Sequence, residues 1–76
     1  MTRSHAETLF RTATPINAAE ISEQHLDMLR LVDVDWPTRE ALGPAADALR
    51  AGQRRAPAVQ QCVAAYNARC GHRSAT

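Results

Sequence analysis

The chain contains no lysine; all nine of its basic residues are arginine. That excludes diffuse lysine-type charge and favours planar, bidentate contacts to carboxylates, carbonyls or phosphates, although a GC-rich genome would leave the same bias. Large apolar residues are also scarce. Fifteen of the 34 hydrophobic residues are alanine, and the aromatics are Phe10, Trp36 and Tyr66. A single core built from so little is only marginally sufficient, so association with another chain would be a natural way to bury more. Two cysteines make no disulfide framework. No apolar run approaches the ~18 residues of a membrane span, and no charged-then-apolar leader opens the chain. A soluble, cytoplasmic protein with no bound cofactor is the expectation. There is no glycine-rich phosphate loop and no Ser/His/Asp or Cys/His arrangement, and a few short helices enclose little cleft. An enzyme acting on a small-molecule substrate is therefore not expected.

What remains reads as one all-α domain of 76 residues, a small bundle of three to four short helices. Residues 1–15 are expected to be partly flexible. Within them Ser4-x-x-Glu7 matches a capping box and predicts a short helix over His5–Arg11, although Thr8–Thr12 also suits an extended strand. The clearest signal is Ile16-Asn17-Ala18-Ala19-Glu20-Ile21. Asn17 is a good N-cap, Glu20 can reach back to its amide, and Ile16 and Ile21 form a hydrophobic staple. This predicts a main helix over about 17–34. Ala18, Ile21, His25, Met28, Leu29 and Val32 share its apolar stripe. Leu26, Leu31 and Val34 fall outside that stripe, which points to two neighbouring elements or another chain.

Pro37 ends that helix, and Asp35 is placed to cap the next one with Trp36 and Pro37 in its first turn. Gly43-Pro44 is expected to interrupt this helix after Leu42, with Leu42, Ala45, Ala46 and Leu49 sharing a face across the break. Gly52 suits a helix C′ position. Pro57 opens a last helix to about Arg69, with Val59, Cys62, Val63, Tyr66 and Cys70 as its stripe, and residues 71–76 are expected to form a flexible tail.

Few residues suggest chemistry. Cys62, Cys70 and His72 are the nearest approach to a zinc set, but two cysteines eight residues apart lie roughly 12 Å apart along a helix and cannot share one ion or a disulfide. Both sit on an apolar stripe, where free cysteine packs as a small hydrophobe; Cys70, near a helix end, is the more reactive of the two. His25, mid-stripe, reads as a core or interface histidine able to titrate near neutrality. Asp33 and Asp35 are explained by helix ending and capping, without a metal.

Charge is uneven. Residues 1–40 hold four arginines against seven acidic residues, net −3, and residues 41–76 hold five against one, net +4. The halves could attract each other, or the basic half could face an anionic partner. Two functional readings follow. The first is a non-enzymatic interaction module, a regulator or adaptor that binds another protein or itself, with Leu26, Leu31, Val34 and Trp36 as the contact residues. The alternative is a helix-turn-helix-like DNA binder. Ala48 and Gly52 would mark its turn, and Arg54, Arg55, Gln60, Gln61 and Asn67 would meet phosphates and base edges. The near-neutral whole-chain charge is a poor footprint for DNA.

Overall fold

The computed structural model describes residues 2–70; the expectations for residues 71–76, including His72, lie outside that range. Four helices are described: α1 (Arg3–Thr12), α2 (Glu23–Leu31), α3 (Trp36–Arg50) and α4 (Pro57–Arg69). They form the small all-α bundle that the hydrophobic pattern predicts. None is long and apolar enough to cross a membrane.

The expected N-terminal helix is present and longer than read, over Arg3–Thr12. Its cap is Thr2, whose hydroxyl accepts from the His5 amide at 3.2 Å, so the Ser4 box is not used. Ala6 and Phe10, one turn apart, turn inward and are buried.

The main helix is much shorter than its start signal implies. The bonds of the Asn17 box do form: the Asn17 amide donates to Glu20 Oε1 at 3.0 Å, and Asn17 Oδ1 accepts from the Ala19 amide at 2.9 Å. They close a single turn over Ala18–Glu20, and no helix grows from it. Instead Arg54 Nη1 donates to the carbonyls of Ala18 (3.3 Å) and Ile21 (2.5 Å). Ile21 is fully buried, and the backbone is extended at Ser22. A second start signal, Ser22-x-x-His25, opens α2: the Ser22 amide donates to His25 Nδ1 at 2.8 Å. The helix stops at Leu31, so Val34 lies in the strap to α3.

The break expected at Gly43-Pro44 does not occur; α3 runs unbroken through both residues. Proline has no amide to offer the Glu40 carbonyl and crowds the preceding turn, at a cost of about 3 kcal/mol in a helix interior. Gly43 and Pro44 are exposed, whereas Leu42, Ala45 and Ala46 on the opposite face are buried. The packed face therefore holds the helix through the defect, and glycine ahead of the proline carries no Cβ to meet the ring. Gly52, at φ +76°, ends α3 as expected. Its amide donates to the Leu49 carbonyl at 3.1 Å and that of Gln53 to the Ala48 carbonyl at 2.7 Å, the two bonds of a Schellman motif.

The stripe read on α4 is buried in full, and Cys62 and Cys70 lie within it with no disulfide between them. The most extensive helix contact is α3 against α4, while α2 touches α1, α3 and α4. That three-sided cover explains Leu26. Read as a contact residue, it is fully buried within this chain, because a helix starting at Glu23 is enclosed beyond its own stripe. Leu31 is half-buried against the same core.

Candidate functional site

A concave feature with both polar and apolar walls lies between the start of α3 and the outer face of α4, with a volume of about 360 Å³. One wall is the strap Asp33–Asp35 with Thr38. The other is Gln61, Ala64, Ala65, Ala68 and Arg69. Local sequence makes the hollow. Three alanines within five positions of α4 leave room where larger side chains would fill it, and the extended strap stands above them.

Thr38 anchors the walls to each other. It is the one fully buried polar side chain among the described residues, and its hydroxyl accepts from Gln61 Nε2 at 2.9 Å. At the far end Arg69 is turned inward. Its Nη1 donates to the Asp33 carbonyl at 2.6 Å and its guanidinium lies 5.7 Å from the Phe10 ring centre. Its Nε is buried with no hydrogen-bond partner among the described residues. Asp33 is bridged to Arg3 at 2.9 Å on the surface. Asp35 occupies the N-cap of α3, but its side chain accepts no capping hydrogen bond and makes no ion pair among the described residues. Next to it in the chain is Trp36, 66% exposed and, among the described residues, the one large hydrophobic side chain left in solvent.

Of the four residues read as a contact set, Val34 lines the groove, Trp36 follows the lining residue Asp35 in the chain and is exposed, and Leu26 is enclosed. Leu31 packs on the core. The set read for nucleic acid is largely engaged within the chain. Arg54 holds the Ala18 and Ile21 carbonyls, and Gln61 holds Thr38. Asn67 clasps Ile16 from both sides, donating from Nδ2 to its carbonyl at 2.9 Å and accepting from its amide at 2.8 Å. Arg55 and Gln60 are exposed. Thr38 was missed, although it lies four residues before Leu42 and so one turn earlier on the same buried face.

Elsewhere the ionisable side chains serve packing. His25 stands edge-on to Tyr66 at 4.9 Å, and Tyr66 meets Phe10 at 5.1 Å. Burial lowers the His25 pKa, partly offset by the Glu20 carboxylate. Burial raises the Cys62 thiol despite Arg30 nearby, and raises the Tyr66 phenol with a further push from Cys70. A thiol held up in this way is a poor nucleophile. Cys70, read as the more reactive thiol, is fully buried, and its Sγ contacts the Tyr66 carbonyl at 3.3 Å. Among the described residues no group of three or more His, Cys, Asp or Glu is gathered as metal ligands would be. No family model, curated protein or solved structure matches this chain, so the groove is read from its own residues.

Proposed function

We propose that this bundle is a non-enzymatic protein-interaction module, a regulator or adaptor that holds a partner protein in the α3–α4 groove with Trp36 as the anchor. The exposure of Trp36 carries the reading. Single exposed apolar residues are commonplace, but this chain has few large ones and leaves exposed a tryptophan that directly follows the groove residue Asp35 in the chain. Tryptophan is enriched among the residues that dominate binding energy, and covering it would contribute about 2 kcal/mol or more. The contact surface is thereby revised to Val34, Trp36 and the alanines of α4.

The helix-turn-helix reading draws less support, since Arg54, Gln61 and Asn67 already have partners inside the chain. Affinity capture from the native host, with wild type and Trp36→Ala in parallel, tests the proposal. Wild type should recover a stoichiometric partner, and the variant should bind it at least about tenfold more weakly with unchanged helix content. No partner, together with a monomer by light scattering at micromolar concentration, would sink it. A duplex shifted at ~50 mM salt would revive the alternative.

A further inference from the structure

The connection before α2 holds two helix starts, and Arg54 sits on the bonds that choose between them. In a helix begun at Asn17, the Ser22 amide would donate to the Ala18 carbonyl and the His25 amide to the Ile21 carbonyl. Those two acceptors are the ones that Arg54 Nη1 occupies. The two donors are diverted, the Ser22 amide to His25 Nδ1 at 2.8 Å and the His25 amide to the Ser22 carbonyl at 3.1 Å. The first turn of the longer helix is already closed, with the Asn17 amide on Glu20. Ile21 and His25 share an apolar stripe with Ala18 and Met28, so the longer helix would still turn Ile21 inward.

One proton upsets the short start. Protonated at Nδ1, His25 faces the Ser22 N–H donor to donor. The Ser22 hydroxyl, 3.2 Å from Nδ1, can accept that hydrogen, but the Ser22 amide then loses its acceptor. As the third residue of α2, His25 also lies at the positive end of the helix, and a start at Asn17 places it more than a turn further in. The groups around it come from every neighbour. Tyr66 of α4 stands edge-on at 4.9 Å with Cys70 adjoining it, and α1 meets this cluster through Phe10. The Glu20 carboxylate of the connection favours the cation, and Arg50 of α3 is paired with Glu23 in the first turn of α2. We propose that the connection is an acid-responsive switch: protonation of His25 moves the start of α2 from Ser22 to Asn17 and releases Arg54 to solvent beside the exposed Arg55. A single proton drives it, so the ratio of long to short helix rises by at most about tenfold per pH unit. The device does not depend on the groove.

Backbone NMR of the full chain, followed from about pH 7.5 to 5, tests it across the imidazole range. Carbon shifts of residues 18–22 should move toward helical values along the His25 titration curve. His25→Gln keeps a neutral acceptor in the capping box and should abolish that movement. Arg54→Ala, at an exposed position, should move the same shifts toward helix at neutral pH. Residues 18–22 that lose order, or stay unchanged, while His25 titrates overturn the switch. An undiminished response in His25→Gln overturns it as well. Should acid unfold the whole chain, Arg54→Ala at neutral pH decides alone: helical shifts over 18–22 support the switch, and coil-like or unchanged values overturn it.

Discussion

The two halves of the bundle are held by different physics. The α3–α4 half is an apolar hairpin: matching stripes face each other, a Schellman motif closes the turn, and one Thr38–Gln61 bond is its polar tie. The α1–α2 half has a ten-residue connection, Ala13 to Ser22, that carries little regular structure and is fastened by side chains from the other half. Within it Asn67 clasps Ile16 and Arg54 takes the Ala18 and Ile21 carbonyls; beyond it Arg50 pairs with Glu23 of α2 at 2.8 Å, and Arg69 takes the Asp33 carbonyl of the strap. The sequence's net −3 front and net +4 back meet here. Arginines of the basic half are turned onto carbonyls and carboxylates of the acidic half. Asymmetry of charge along a chain is therefore a weak pointer to an anionic ligand when the fold can consume it internally.

The comparison breaks most visibly in the shared core. Leu26→Ala should cost about 2–5 kcal/mol, because it empties a fully enclosed site on α2. Urea unfolding measures this, and a variant of full stability with weakened assembly would return Leu26 to the surface. Next in size is the Ile16 clasp. Asn67→Ala strands a part-buried amide and carbonyl at a cost of about 1–3 kcal/mol. Amide exchange should quicken across residues 14–21 while α3 keeps its protection; uniform loss in both halves would mean the halves do not differ.

The smallest effect is the pH response of the α2 cap. His25 Nδ1 accepts from the Ser22 amide, so protonation at that nitrogen removes the acceptor, and the positive end of the helix disfavours the cation. The folded pKa is lowered by burial. Stability is therefore full above the ordinary imidazole value near 6.5 and declines as pH falls below it toward the folded value. His25→Gln should flatten that slope between pH 7 and 5, which unfolding at several pH values would resolve; an unchanged slope would place the titration elsewhere.

How much was legible follows the range of the interactions. Helix α4 could be read end to end, because proline at its start and five apolar residues at helical spacing are local signals. The end of α3 at Gly52 was equally plain. The middle of α3 was misread, since a proline argues for a break and only the buried face opposite it argues against one. The start of the main helix was misread for a subtler reason. Two capping patterns five residues apart are both valid, both form their bonds, and nothing nearby chooses between them. Arg54, more than 30 residues away, holds the Ile21 carbonyl and leaves Ser22 to begin the helix. Likewise Asn67 and Gln61, polar residues of α4, look like ligand-reading side chains until their intramolecular partners are known. The groove was legible only in its parts, Val34 and Trp36.

The sequence alone determined an all-α chain, the inward faces of α3 and α4, the burial of both cysteines and the proline-led starts of α3 and α4, because these depend on periodicity and on preferences spanning a few residues. Tertiary structure decided which start signal propagates, whether Pro44 breaks its helix, and which large apolar residue is left outside. Each of those is a competition between local preferences of a few kcal/mol or less, and burial and hydrogen bonding across the two halves supply the difference that settles it.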